Sequence, residues 1–390
     1  MRNQNPIYVQ AVGCVCADVF SVDQLRDALF QKQPSGVKPN DRVLPDRVIH
    51  YGSVALADED DDLPRTLRLV RHALRQLRAQ ARALCRFESH RIGVILGSST
   101  SGLKETEAAM QTRHLRGSLP DAFDIRTLNL HEPARFVAQE LGVTGPVYSI
   151  SNACASGAMA VVSAVRLLQS GLVDAVVTGG IDGASRFTTA GFDALSAMSH
   201  APCLPFCAER AGINLGEGGA LLLLTREPSD VCVSGWAETS DAHHISAPHP
   251  EGKGAVACMR EALRTAGLTP DQIDFVSAHG TGTHHNDAAE SLAVHAVFGG
   301  QTPVASLKHL SGHTLAGAGA LQSAIAYALL TNNDDGLLPA NTTDGTPDPR
   351  LAPVNLIREP VRLRRPLRHV LCNAFAFGGS NATLVFSRHS

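Results

Sequence analysis

The sequence lacks long apolar runs, paired cysteines and a large excess of charge of either sign. No stretch approaches the ~18 apolar residues that a membrane-spanning helix needs, and the N-terminus has no apolar core of a secretory signal. The nine cysteines are odd in number and scattered, without a Cys-x-x-Cys pair, which argues against a disulfide scaffold or a zinc ribbon. These absences predict reduced thiols, no metal site, no membrane span and a cytoplasmic protein.

The charge balance also argues against a nucleic-acid partner. The net charge is −3, and the arginine clusters have no interleaved aromatic residues on which bases could stack. We therefore expect no nucleic acid among the partners.

Length and composition indicate a well-buried globular protein with more than one core. A chain of 390 residues exceeds the usual span of one core, and 44% of its residues are apolar. Strand-like runs alternate with helical patterns, which predicts an α/β protein. The candidate strands are 92–96, 147–150, 175–178, 220–224, 275–278, 304–307, 369–372 and 382–386. A polar connector at 225–230 divides the chain into a predicted N-terminal half, 1–228, and a C-terminal half, 229–390.

The two halves show similar patterns. In the first, a strand leads into Asn152-Ala153-Cys154 and a helix that opens with small residues. In the second, a strand leads into the stretch 308–313 and another helix that opens with small residues. Small-residue helices resemble one another by chance, so both a duplication and two unrelated helices stay open at this point.

Cys154 is the first candidate for chemistry. A cysteine at a strand-to-helix junction meets the positive end of the helix dipole, which favours the thiolate. Free cysteines are more often buried structural residues, but the turn and the small residues that follow favour a nucleophile here.

Two histidines and a lysine are further candidates. His279 ends a predicted strand and precedes a Gly/Thr-rich loop, and α/β proteins build their sites at such strand ends. Lys308 and His313 come from one turn, and Glu290 offers a carboxylate. A lysine near an imidazole and a carboxylate can fix protonation states and orient the ring. Each signal is weak alone, but together with Cys154 they predict one catalytic site.

Several motifs occur in a characteristic order from about residue 92 to the C-terminus. They are 152–158, 216–220, 241–248, 279–287 with Glu290, 308–313 and 375–381. In this order they resemble the β-ketoacyl-acyl-carrier-protein synthases, the Cys-His-His branch of the thiolase superfamily. Chain-initiating synthases place an Asn where His313 stands, and thiolases use a second cysteine near the C-terminus. Neither pattern fits this sequence. Position 313 is a histidine, and Cys372, the cysteine near the C-terminus, is predicted to lie in a strand.

The resemblance implies a thiolase-like, five-layered αβαβα fold with two pseudo-repeated halves. It also implies an elongating ketosynthase, an acyltransferase that joins an acyl-enzyme thioester to malonyl-carrier protein by decarboxylative Claisen condensation. The pathway would be fatty-acid or specialised polyketide or polyene biosynthesis. The alternative is a non-catalytic, chain-length-determining partner of a ketosynthase heterodimer, and the retained Cys154, His279, Lys308 and His313 argue against it.

Roles for the candidate residues follow from the same resemblance. Cys154 would accept the acyl chain, and His279 and His313 would donate N–H bonds to the malonyl thioester oxygen. Lys308 with Glu290 would hold the second imidazole and the local charge balance. No cofactor is implied, since the substrates are carried on the phosphopantetheine of acyl-carrier protein.

Further groups would bind the substrate. The backbone N–H groups of Cys154 and Phe377 would form an oxyanion hole for the acyl carbonyl. The residues implied to bind substrate are Thr281, Thr283, Thr100, Phe192 and Phe377. Thr100 stands where family members often carry a bulky apolar residue at the acyl-pocket wall. That difference predicts a pocket unlike the one in a housekeeping, saturated-chain enzyme.

Arginines recur every three or four residues from Arg65 to Arg86, opposite an apolar stripe, which predicts an amphipathic helix. Its basic face is either a solvated surface or a docking site for the acidic acyl-carrier protein. The docking residues would be Arg65, Arg68, Arg71 and Arg75, and Arg82 belongs to the same stripe. The resemblance also implies a homodimer or a heterodimer with a homologous ketosynthase or chain-length factor.

Overall fold

The computed structural model describes residues 6–30, 36–56, 63–80, 84, 86–341 and 345–389. Its strands are β1 Ile7–Val15, β2 Lys38–Asn40, β3 Ile49–Gly52, β4 Ile92–Gly97, β5 Val147–Ile150, β6 Ala175–Asp182, β7 Leu215–Gly216, β8 Gly218–Thr225, β9 Val231–Ser240, β10 Phe275–Ser277, β11 Pro303–Ala305, β12 Leu337–Leu338, β13 Asn355–Leu356, β14 Val361–Arg362, β15 His369–Phe375 and β16 Ser380–Arg388. Its α-helices are α1 Val22–Phe30, α2 Arg65–Gln80, α3 Leu103–Arg116, α4 Glu132–Leu141, α5 Ser156–Gln169, α6 Arg186–Ala194, α7 Lys253–Ala266, α8 His284–Phe298, α9 Lys308–Ser311 and α10 Gly317–Leu330.

The main sheet has two halves with the same strand order. From the junction outwards, the first half runs β1-β8-β6-β4-β5 and the second runs β9-β16-β15-β10-β11, with β13 at its edge. In both halves the first two pairings are antiparallel and the next two are parallel. The halves meet through a short antiparallel contact between β1 and β9. This matched order is the pseudo-repeat that the motif pattern implied.

Helices lie on both faces of each half and between the halves, which makes the predicted five layers. The central layer is α5 and α10, which pack against each other and against strands of both halves. The outer layers are α2 and α4 on the first half and α7 and α8 on the second. Nearly every residue of α10 is buried, as expected for a helix that is apolar all round and covered on every side.

Small residues allow α5 and α10 to approach closely. A Cβ built on Gly157 would lie 2.5 Å from the carbonyl oxygen of Ala316, and one on Gly319 would lie 2.8 Å from the backbone nitrogen of Ala158. Both helices begin at the edge of the sheet where the predicted catalytic loops lie, so this packing brings the two halves of the site together.

The predicted amphipathic helix is α2, whose apolar side chains pack on β1 and β8. The connection between β8 and β9 spans the predicted division at 228/229, and the division into two domains stays a prediction. Within the described ranges, no helix is both long and apolar enough to cross a bilayer. The same residues include no cluster of three or more His, Cys, Asp or Glu side chains suited to a metal ion.

Candidate active site

A cavity of about 500 Å³ opens between the two halves, beside the first turns of α5 and α8. Its lining contains side chains from both halves, and most of the predicted site residues are among them. The predicted residues that line it are Cys154, Phe192, His279, Thr281, Thr283, His313 and Phe377. Lys308, Glu290 and Thr100 lie outside the lining.

Cys154 sits in the turn between β5 and α5. Ala153 has a positive φ of 45°, and the Ser156 hydroxyl accepts a bond from the Asn152 N–H (2.7 Å) and donates to the Ala153 carbonyl (2.6 Å). These bonds brace the turn against the strain of a non-glycine residue in the left-handed region.

The sulfur of Cys154 is held as a thiol. Its side chain is buried, and burial raises the pKa of Cys154 to about 12, although the positive charge of Lys308 lowers it. Burial therefore favours the thiol in the resting protein, which is opposite to the thiolate expected from the helix dipole. Hydrogen bonds from the backbone N–H groups of Phe377 and Cys154 also lower this pKa. The oxyanion hole formed by these two N–H groups stays a prediction.

The two histidines face each other across the cavity. The ring centroids of His279 and His313 are 5.2 Å apart, and the rings are nearly perpendicular. Nδ1 of His279 and both ring nitrogens of His313 are buried without a hydrogen-bond partner among the described residues. Burial and the charge of Lys308 hold the pKa of each histidine well below its usual value, so both are neutral. Each neutral ring keeps one N–H that can be donated to a ligand.

Lys308 and Glu290 hold His279, whereas the prediction is that they hold His313. The Glu290 carboxylate accepts the backbone N–H groups of His279 and Gly280, both at 2.7 Å. The Lys308 ammonium donates to the carbonyl oxygen of His279. Both side chains therefore hold the backbone of the first histidine, whereas the expectation was that they hold the second imidazole, His313. Their loops meet only in the folded chain, since 29 positions separate Lys308 from His279.

Asp287 holds the loop that follows His279, and the sequence analysis assigned it no role. Its carboxylate accepts the N–H groups of Thr281 (3.1 Å), Gly282 (3.2 Å) and Phe206 (2.7 Å). The available signal was an acidic residue in the first turn of a helix directly after a Gly/Thr loop, a position suited to backbone N–H donors.

Of the predicted substrate-binding residues, Thr100 is the exception. Its hydroxyl donates to Asp182 (3.0 Å) and accepts the N–H of Gly183 (3.2 Å), and its side chain is not part of the cavity wall. Thr100 therefore does not line this cavity, because its hydroxyl is used inside the protein, and an unusual acyl pocket stays a prediction. Phe192 and Phe377 do reach the cavity, where their rings stack at 5.3 Å.

The arginine face of α2 is less available than predicted. Arg65 is half-buried, and its guanidinium binds the buried Glu217 carboxylate through two bonds of 2.9 and 2.5 Å, so it is not free for docking. Arg68 is half-buried, and Arg71 lies over the ring of Phe136, 5.1 Å from its centroid. Arg75 is the exposed member of the predicted set, and Arg82 lies outside the described residues.

Arg65→Ala should reduce stability strongly, because it leaves the buried Glu217 carboxylate without its cation. We expect a loss of about 3–5 kcal/mol in the free energy of unfolding. Arg116→Ala at the exposed end of α3 should change it by no more than about 0.5 kcal/mol. Urea unfolding of both variants tests this, and equal small effects would show that the Arg65–Glu217 pair is not needed.

Cys372 does not contribute to the cavity. It lies in β15, as predicted, and its thiol is buried against the carbonyl oxygen of Gln322 at 3.5 Å. Burial raises its pKa well above the usual range. A thiolase-type reaction with Cys372 as the second thiol is therefore not supported.

Comparison with known protein families gives two matches that follow each other along the chain. The family "Beta-ketoacyl synthase, N-terminal domain" matches residues 57–229, and "Beta-ketoacyl synthase, C-terminal domain" matches residues 231–341. The 3-oxoacyl-[acyl-carrier-protein] synthase 2 of Synechocystis is 33% identical over 319 residues, covering 76% of this chain and 75% of that protein. Nodulation protein E of a Rhizobium species is 32% identical over 331 residues, covering 80% of each chain.

Solved structures of ketosynthases share the whole fold. A chain from the complex of a ketosynthase with its chain length factor, from Xenorhabdus doucetiae, has a TM-score of 0.92 and 38% identity, covering 100% of this chain and 99% of that one. A chain of the ishigamide ketosynthase/chain length factor has a TM-score of 0.89 at 25% identity, covering 99% and 100%. Since the family matches, the curated relatives and the thiolase-like fold all agree, the chain belongs to the β-ketoacyl synthase family of acyltransferases.

Proposed function

We propose that this chain is an elongating ketosynthase that condenses an acyl group held on Cys154 with malonyl-carrier protein. The observation that carries the proposal is that Cys154, His279 and His313 line one cavity. A buried thiol beside two neutral imidazoles suits covalent capture of an acyl group followed by enolate chemistry.

The first step is acyl transfer. The acyl carbon forms a bond to the Cys154 sulfur and breaks its bond to the pantetheine sulfur, which leaves with the proton of the Cys154 thiol. The tetrahedral oxyanion accepts hydrogen bonds from the backbone N–H groups of Cys154 and Phe377, which also lower the pKa of the Cys154 thiol. Dividing the reaction at this thioester makes a difficult condensation into two easier steps.

The second step is decarboxylation and condensation. The malonyl group loses CO2, and the electron pair of the broken C–C bond forms an enolate whose oxygen accepts N–H bonds from His279 and His313. The enolate carbon then attacks the acyl carbon on Cys154. The new C–C bond forms as the C–S bond breaks, and the sulfur regains a proton. In this proposal the imidazoles stabilise the enolate, so the reaction uses no metal ion or redox cofactor.

The partner surfaces are part of the proposal. The mouth of the cavity admits the phosphopantetheine arm of an acyl-carrier protein. Thr281 and Thr283 line its path, and their hydroxyls are 2.9 Å apart. Arg75 is the exposed member of the predicted docking set. A cytoplasmic location agrees with the buried, unbridged cysteines of the described residues.

A second thiolase-like subunit, either a copy of this chain or a homologue, is proposed to pair along the edge of β5. Strand β5 ends the main sheet and pairs only with β4 among the described strands. The same half of the chain exposes the apolar side chains of Met110, Leu115, Ile125 and Phe187. An unpaired strand edge with exposed apolar residues is suited to association with another chain.

The experiment that tests the function is a condensation assay with acyl-carrier and malonyl-carrier proteins, followed by intact-mass analysis. We expect an acyl adduct on this chain and a carrier-bound β-ketoacyl product extended by two carbons. The assay is run with the chain alone and with a homologous partner subunit, and size-exclusion chromatography reports the dimer. If neither an adduct nor an extended product forms in either arm, the alternative role as a non-catalytic, chain-length-determining partner is favoured.

Acid should destabilise the protein through the two buried histidines. Because their folded pKa values lie well below 6.5, the unfolded chain binds protons below pH 6.5 that the folded chain does not. Their stabilising contribution is therefore present above pH 6.5 and is lost as the pH falls, by up to about 1.4 kcal/mol per pH unit for each histidine. We expect His313→Asn to lose less stability than the native chain between pH 7 and 5.5, measured by urea unfolding.

The comparison isolates the histidine contribution. Burial raises the pKa of Glu290 to about 7, so its contribution is lost as the pH rises and has the opposite sign. Glu290 is present in both proteins, and its effect cancels in the difference. The exposed His90 gives the matched control, and an equal acid sensitivity of His90→Asn and His313→Asn would contradict the prediction.

A further inference from the structure

Asp182 is a fully buried carboxylate at the end of β6 that does not line the cavity. It accepts bonds from the hydroxyl of Ser98 (2.9 Å), the N–H (2.8 Å) and hydroxyl of Ser99, and the N–H and hydroxyl of Thr100, both 3.0 Å. Its second oxygen also accepts the N–H of Ala316 at 2.9 Å. The bond to Ala316 is different in kind, because it crosses from the first half of the chain to the second.

Ala316 belongs to the turn that carries His313 into α10. Leu315, between them, has a positive φ of 52°, which is strained for a bulky residue and costs roughly 1–3 kcal/mol. Such strain persists only where the surroundings hold it. Here the N–H of His313 donates to the carbonyl of Asn214 (2.8 Å), and the carbonyl of Ala316 accepts the N–H of Gly157 (3.0 Å). The first half of the chain therefore holds both ends of the strained turn.

Each hydrogen bond that the described residues make with the Asp182 carboxylate is donated to it. The Ser98 hydroxyl accepts the N–H of Ser101, and the Thr100 hydroxyl accepts the N–H of Gly183, so both hydroxyl protons are free to point at the carboxylate. Burial raises the pKa of Asp182, and the hydrogen bonds from Ser98, Ser99 and Thr100 oppose that rise because they stabilise the ionised form. An amide at this position would direct its own NH2 group against some of these donors.

We propose that Asp182 is a positioning residue that holds the His313 turn in the geometry needed for decarboxylation. It acts through Ala316 and the strained Leu315, without touching substrate. This inference rests on the proposed function and adds to it a residue from the first half of the chain that controls an imidazole of the second. The negative charge of Asp182 also raises the pKa of Cys154. Asp182 therefore makes the thiol less reactive while it positions His313 for decarboxylation.

The test is Asp182→Asn, assayed separately for malonyl-carrier decarboxylation and for the reactivity of Cys154. Loss of the anchor lets the turn relax, and a displacement near 1 Å costs up to about 100-fold in rate. We expect decarboxylation to fall by that order while Cys154 is still acylated. Alkylation of Cys154 by iodoacetamide should become faster, because the removed negative charge lowers the pKa of the thiol. A variant that is merely misfolded would lose both activities.

Ser99→Ala is the matched control. It removes one hydroxyl donor but leaves the carboxylate and its bond to Ala316, so decarboxylation should stay near the native rate. Asp182→Ser, which is smaller and has no amide to oppose the donors, gives a second neutral variant. The inference is overturned if a folded Asp182 variant decarboxylates at the native rate, or if decarboxylation and acylation fall by the same factor. Failure of both variants to fold would also count against it, since Asp182 would then be a folding residue. If the native chain itself does not decarboxylate malonyl-carrier protein, the proposed function fails instead.

Discussion

Cys154→Ala is expected to abolish acyl-enzyme formation and to reduce condensation by roughly 10⁴-fold or more, the scale seen when a nucleophile is removed. Decarboxylation of malonyl-carrier protein should persist, because the enolate is stabilised by the N–H groups of His279 and His313 and not by the sulfur. Intact mass measures the adduct, and CO2 release measures decarboxylation. The two readouts should therefore separate in this variant.

The control for Cys154→Ala is a second buried thiol outside the cavity. Cys232 lies in β9, and Cys232→Ala should still carry the acyl adduct. An adduct on the Cys154→Ala chain would show that another residue is the nucleophile. Loss of the adduct in both variants would point to a general effect on folding.

His313→Ala is expected to show the reverse pattern, with slow decarboxylation and an intact acyl adduct. Removal of one hydrogen-bond donor to a developing oxyanion typically costs about 10²–10³-fold in rate. The large effect is expected because both ring nitrogens of His313 lack a partner among the described residues and are free to serve a ligand. Single-turnover decarboxylation of malonyl-carrier protein gives the rate directly.

The exposed His90 provides the control for a general loss of an imidazole. It pairs with Glu88 at 3.4 Å and lies outside the cavity, so His90→Ala should leave decarboxylation unchanged within about twofold. A native decarboxylation rate in His313→Ala would contradict the proposed role. So would a complete loss of acylation, since that would place His313 in the first step.

Much of the fold could be predicted from local patterns. The apolar runs predicted β4, β5, β6, β8, β10, β11, β15 and β16, because most of these strands are buried on both faces. Strand β5, at the edge of the sheet, is half-buried. Strands β1 and β9, which join the two halves, contain polar residues such as Gln10 and Ser234. Gln10 is satisfied by the hydroxyl of Thr225 at 2.9 Å, a partner 215 positions away. Such a partner is invisible to a local pattern.

The errors about individual side chains have the same origin. Helical periodicity predicted that the arginines of α2 share one face, and it could not show that Arg65 meets Glu217, 152 positions later. Thr100 was assigned to the acyl pocket from its position in a motif, but Asp182, 82 positions away, uses its hydroxyl. In both cases a polar partner that is distant in sequence binds the side chain inside the protein, so the side chain does not take the predicted binding role.

The sequence alone determined which groups could do chemistry, because Cys154, His279 and His313 stand in motifs whose order identifies the family. The tertiary structure decided the state of those groups. Burial between two halves of the chain keeps Cys154 a thiol and both imidazoles neutral, against the expectation from the helix dipole. It also decided that Lys308 and Glu290 hold the backbone of His279 and that Asp182 reaches Ala316. Solvation and hydrogen bonding depend on every neighbour in space, and most of those neighbours are distant in sequence.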